Sequence, residues 1–238
     1  MNAYTSYTPT LERREPLIRG LEKLRTASIL QIVSTIIIFV PLVFLYISVF
    51  ALAGLGAAVG VTPPANSPQP RMPLMTLIGA GISAISLLGV IIVGAVLGLV
   101  AIYLYLVPAF REFEKFSSED FGTASTMVRV GYVWGLILLL IGLVVLIIGA
   151  AASSSGIIIL GALGLVVGIV LLIIGEIGMI MGMFNLNSVL RESMFLVAGI
   201  LFIVSIFAGI LGFIAWIFVY IGADNQFKKL SSTPTTVT

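Results

Sequence analysis

The chain has 238 residues, 60% hydrophobic and 9% charged, where a soluble domain carries about 25% charged residues. Its 12 basic and 10 acidic residues nearly cancel to +2, so the balance gives no reason to expect nucleic acid, and the composition excludes both a soluble globular domain and a disordered chain. Cysteine and histidine are both absent, which removes disulfides, thiol nucleophiles, any Ser/His arrangement and the usual metal ligands.

These bounds predict an all-α protein: one integral membrane domain over residues 1–238, a polytopic helical bundle of about five transmembrane helices. Residues 1–10 are polar and expected to be disordered. Next, LERREPLIRGLEKLR (11–25) sets Leu17, Ile18, Leu21 and Leu24 at helical spacing among charges, with Pro16 suited to a first turn. Residues 1–27 therefore read as a cytoplasmic tail with an amphipathic helix lying in the headgroup layer. The apolar run behind it exceeds the roughly 7–15 residues of a signal-peptide core, so it is expected to stay.

The transmembrane bundle is expected over 28–222. A first span runs from Ser28 to Gly60 with a kink at Pro41. Pro63, Pro64, Pro68, Pro70 and Pro73 then stiffen a connection. The second span, Leu74 to Val107, carries small-residue pairs at Gly79/Ser83 and Gly94/Gly98 that permit close helix packing. Beyond Pro108, Phe110, Phe113 and Phe116 alternate with charges, predicting a short helix anchored by phenylalanines in the interface.

The third and fourth spans carry a glycine ladder. Gly135, Gly142, Gly149 and Gly156 fall seven apart, as do Gly161, Gly168, Gly175 and Gly182, with a break at Ser153, Ser154 and Ser155. A seven-residue period keeps one face of a helix against a neighbour if the pair supercoils to the left. Each glycine costs about 1 kcal/mol against alanine in a helix, so the series implies a gain elsewhere. That gain is close backbone approach, the main source of packing in lipid. The expectation is a glycine-packed antiparallel hairpin. A short loop (184–193) leads to a fifth span, Met194 to Gly222, with Trp216 and Tyr220 as an interfacial belt, then a flexible tail over 223–238.

Five spans with a cytoplasmic N-terminus put Arg13, Arg14, Arg19, Lys23, Arg25, Arg111, Lys115, Arg129 and Arg191 inside, against Arg71, Lys228 and Lys229 outside. This bias predicts a multi-pass protein of the cell membrane with its C-terminus extracellular.

GLEKLR (20–25), GYVWG (131–135) and VLRES (189–193), with the layout of the spans, make the chain resemble an uncharacterised family of archaeal multi-pass membrane proteins, domain of unknown function 973. The resemblance implies a helical membrane fold in an archaeal cell membrane. It implies no activity and supplies no catalytic residues.

One charged side chain lies well inside an apolar span: Glu176, in IIGEIGMIMG. Ionisable groups at such depth are costly and often serve as proton carriers or cation sites. The structural alternative is a glutamate that holds helices together, protonated or paired with Arg129 on the third span. No catalytic, cofactor or metal site is expected, and no enzyme. The leading functional reading is a membrane-organising or partner-binding protein, its partners being the bilayer, another copy or another membrane protein, without nucleic acid. The alternative is a small transporter or channel using Glu176.

Overall fold

A computed structural model describes residues 11–58 and 89–232, which form six helices and no strand among the described residues. They are α1 (Leu11–Ala58), α2 (Gly89–Phe116), α3 (Ser118–Ala151), α4 (Ser155–Leu190), α5 (Ser193–Ser205) and α6 (Ile210–Ser232). Five stretches, Arg14–Phe44 and the whole of α2, α3, α4 and α6, are long and apolar enough to cross a membrane. The fold is all-α and its composition is that of a membrane protein. The expected pairs at Gly79/Ser83 and the prolines of 63–73 lie outside the described residues.

The chain forms two compact units, residues 32–99 and residues 1–31 with 100–238. In the first, the Ser34 hydroxyl of α1 donates to the Gly94 carbonyl of α2 at 2.7 Å. A Cβ at Gly94 would lie 2.6 Å from the Ile38 side chain, so glycine is what lets the helices meet there. α1 continues through Pro41 to Ala58 without interruption.

In the second unit the large buried side chains gather where helix ends converge. Leu17, Leu21, Leu24, Phe110, Phe113, Phe121, Met183, Leu186 and Phe195 are all fully buried. Phe113 stacks on Phe121 at 5.5 Å and meets Phe110 edge-on at 5.9 Å. Two ion pairs and a charge-assisted hydrogen bond ring this cap. Lys23 bonds Glu112 at 2.8 Å, Arg25 bonds Asp224 at 3.0 Å, and Gln226 donates to Glu192 at 2.8 Å. Arg25 also lies 5.0 Å from the centre of the Phe227 ring, a cation–π distance.

This cap changes several expectations. Residues 11–27 do not form a separate interfacial helix: they open α1, which starts before Pro16, and their leucines pack into protein. The three phenylalanines expected in the interface, Phe110, Phe113 and Phe116, are buried as well. Water on this side rewards burying their apolar area at about 25 cal/mol per Å², which an interfacial position would do only in part. Residues 118–125, between the phenylalanines and the third apolar stretch, are helical as well. Ser117 caps this stretch by accepting the Asp120 N–H, and Phe121 fixes it in the core. Likewise α4 runs on through the expected loop to Leu190, where Arg191 in the left-handed region ends it.

The largest departure concerns the fifth span. Residues 194–222 are not one helix but two, α5 and α6, reversing at Ile206–Gly209. Phe195 lies against Gly222 and Phe202 packs T-shaped on Trp216 at 5.2 Å, so the two run antiparallel. Trp216 is therefore a packing residue, not part of an interfacial belt. The 13 residues of α5 extend about 20 Å, short of the ~30 Å hydrocarbon core. The reversal is held by backbone hydrogen bonds: the Phe207 and Ala208 N–H groups donate to the Val204 carbonyl, and the Leu211 N–H donates to the Ala208 carbonyl. Beyond it, 223–232 continue α6 and hold Arg25 through Asp224, so this part of the expected tail is ordered helix. The expected side of the C-terminus rested on one long fifth span; in its place stand two helices, of which α6 is long and apolar enough to cross.

Candidate functional site

The hairpin register sets the site. Gly131 meets the Gly175 backbone, and a Cβ at Gly135 would lie 2.9 Å from the Leu172 nitrogen. At Gly142 the nearest atom would be the Leu165 nitrogen at 2.6 Å, and at Gly149 the Ile158 nitrogen at 2.7 Å. From the other side, Gly161 faces Leu146 and Gly168 faces the Leu139 nitrogen at 2.8 Å. These are distances that real Cβ atoms do not adopt against backbone. Gly182 departs from the series by packing on the Phe110 ring of α2, and Gly156 has nothing within 4 Å.

In this register Tyr132 lies opposite Gly175 and Glu176. Its hydroxyl donates to Glu176 Oε2 at 2.6 Å and lies 3.9 Å from Met179 Sδ. Around it α3 widens into a π turn over Arg129–Trp134, and α2 does the same over Ala101–Leu106. Such turns inside α-helices often mark functional positions. Tyr103, in the second of them, donates its hydroxyl to the Tyr132 carbonyl at 3.1 Å. That carbonyl also receives the Gly135 N–H, so both its lone pairs are engaged. Tyr103, Tyr132 and Glu176 thus tie α2, α3 and α4 together through polar groups set in apolar surroundings. A phenol and a carboxyl at hydrogen-bond distance can share or pass a proton.

Arg129 is not part of this cluster. It is exposed, and among the described residues it forms no ion pair with Glu176. The seam brings Gly131 and Tyr132 to α4 and leaves Arg129 turned toward a groove with Arg111, Glu114, Lys115 and Ser118. Glu176 finds a phenol and not Arg129, the ion-pair partner that was one of the alternatives read for it. Tyr132 and Tyr103 were not singled out from the sequence. The ladder held a signal for the first: Gly135 opposite residues 168–172 puts residue 132 opposite 175. Nothing comparable announced Tyr103. Among the described residues, no group of three or more Asp or Glu is placed to hold a metal ion.

Against known proteins, no curated protein and no solved structure gives a match. A family model described as protein of unknown function (DUF973) matches residues 17–238, and the chain belongs to that family.

Proposed function

We propose that the protein is a scaffold of the cell membrane that works by binding, with self-association through the α3–α4 hairpin as its primary interaction. The observation that carries this reading is the asymmetry of the hairpin. Over residues 136–170 only Gly142, Gly149, Gly161 and Gly168 are buried, while Leu140, Ile141, Val144, Ile147, Leu163 and Val166 are exposed. The seam holds two helices to each other and leaves broad apolar faces for lipid or a second hairpin. The cysteine-free chain permits a direct test. Leu143→Cys or Val166→Cys should crosslink between copies in the bilayer, and light scattering in mild detergent should give a multiple of 25.2 kDa after correction for bound detergent. A monomer with no crosslink at any exposed hairpin position rejects self-association.

For orientation, the reading places both ends of the described chain at the cytoplasmic face, with α5 and the start of α6 dipping into the membrane and returning. The Arg25–Asp224 pair supports it. So does charge: Lys228 and Lys229 join the other nine basic residues, leaving Arg71 alone in the α1–α2 connection. Single cysteines at Ser118 and Ser231 should label from one side with an impermeant reagent, and at Ser67 from the other. Labelling of Ser231→Cys together with Ser67→Cys would restore five full spans.

A second reading, a proton or cation carrier, is favoured by the Tyr132–Glu176 hydrogen bond, whose tyrosine lies in one π turn and accepts at its carbonyl from Tyr103 in the other. It predicts a flux in reconstituted vesicles that Glu176→Gln abolishes without unfolding the chain. Absence of proton, sodium or potassium flux in the unaltered protein would dismiss it.

A further inference from the structure

The polar cap carries one cluster of cations that its own acids do not neutralise. Lys23 and Lys115 flank Glu112, and Arg25 and Lys228 flank Asp224. Arg111 and Arg129 have no ion pair among the described residues. They share an open groove of about 500 Å³ with Lys115, Ser118 and Glu114. Glu114 does not compensate them, because it is the one acid among the groove's lining residues and faces two unpaired guanidinium groups.

The groove's depth is informative. Arg111 follows the apolar stretch that ends at Pro108, and Arg129 precedes the one that opens with VGYVWG. Both therefore stand at the level where hydrocarbon gives way to headgroups. Trp134, 57% exposed and five residues along α3 from Arg129, has the amphipathic ring that favours this layer. Two guanidinium groups offer bidentate donors suited to phosphate oxygens, and Lys115 and the Ser118 hydroxyl supply further donors.

We propose that this groove binds the phosphate of an anionic lipid headgroup taken from the surrounding bilayer. Basic pockets between membrane helices on the cytoplasmic side have the charge and depth for such ligands. The site goes beyond self-association, since it lies on α2 and α3 at the cap and not on the hairpin's apolar faces.

The test uses the full chain in micelles doped equally with phosphatidylglycerol and phosphatidylcholine, with retained lipid counted by native mass spectrometry. The unaltered protein should keep phosphatidylglycerol in preference. Arg111→Gln with Arg129→Gln should lower that retention about tenfold or more, since each basic group near an anionic surface contributes substantially. Both positions are exposed, and an unchanged thermal transition checks folding. Arg111→Lys with Arg129→Lys, which keeps the charge, provides a second folded variant and should retain an intermediate amount. Lys228→Gln with Lys229→Gln removes equal charge elsewhere on the cap and should leave retention intact. Equal retention of the two lipids, or equal loss in the Lys228/Lys229 variant, would overturn the site in favour of diffuse attraction. Displacement of phosphatidylglycerol by millimolar inorganic phosphate would overturn the lipid as its ligand.

Discussion

Gly142→Ala sets two physical effects against each other, and their balance reveals whether the hairpin seam is real. On an isolated helix the change should stabilise by about 1 kcal/mol, because glycine surrenders the most backbone freedom. In the hairpin the new methyl carbon would lie 2.6 Å from the Leu165 nitrogen, 2.9 Å from the Gly164 carbonyl carbon and 3.0 Å from the Gly161 oxygen. Favourable contacts lie at about 3.5–4.0 Å, so α3 and α4 must part locally by roughly 1 Å. The atoms met are backbone and cannot swing aside. A gap of that size forfeits about a quarter to a half of each dispersion contact, and overpacking of this kind costs about 1–3 kcal/mol, here near the upper end. The net expectation is a loss of about 1–2 kcal/mol, or a fall of roughly 2–8 °C in the thermal transition for a chain of this size. Gly156→Ala, where nothing lies within 4 Å, is the matched control and should hold or raise the transition. Thermal unfolding in one detergent, followed by circular dichroism, measures both. A rise for Gly142→Ala equal to that of Gly156→Ala would refute the seam.

Tyr132→Phe should cost about 1–3 kcal/mol in the same assay, because it strips Glu176 of its phenol donor. Glu176→Gln, whose amide oxygen can still accept from Tyr132, should cost under about 1 kcal/mol, and a double-mutant cycle should show the pair coupled. Arg129→Gln should leave stability unchanged and add without coupling to Glu176→Gln; coupling would restore the ion pair that the geometry does not show. Ser153 turns the hairpin at a φ of 51°, so Ser153→Gly should stabilise by about 0.5 kcal/mol, visible as a small rise in the thermal transition. Ser117→Ala, which removes the cap of α3, should lower stability by about 1 kcal/mol, read by the same melt.

The sequence announced some of this architecture clearly. A seven-residue glycine period has few causes in an apolar helix, and the three serines at 153–155 interrupt both spans, so α3, α4 and their turn were legible. What was not legible depended on partners far along the chain. Phe110, Phe113 and Phe116 show the same spacing whether they face lipid headgroups or a protein core; the choice follows from Leu17, Leu21 and Phe121, which the fold brings to them. The reversal at Ile206–Gly209 was hidden because Ala208 and Gly209 are also residues that packed membrane helices place at their contacts. Glu176 stood out by its charge, but its partner did not, since Tyr132 in GYVWG reads as one more aromatic residue near an interface until the register of the hairpin is fixed.

The two ends of the second unit are held together by different forces, and the difference explains where each residue type is found. Toward the cap, helices leave the hydrocarbon: α3 and α4, 34 and 36 residues long, extend about 51 and 54 Å against a core of about 30 Å. There water drives apolar burial, and the chain answers with Phe110, Phe113, Phe121 and the leucines of α1, bordered by ion pairs. Away from the cap, lipid tails are as apolar as leucine, so large side chains gain nothing by leaving them for each other. Only shape remains, and glycine supplies it by bringing backbones into dispersion contact. On the proposed reading, this division makes the cap the part that sets which helices assemble and the hairpin the part that would exchange lipid for another hairpin. Self-association through α3 and α4 would then leave the cap and its basic groove unchanged, so the two proposed properties, lipid capture and assembly, would vary independently under mutation.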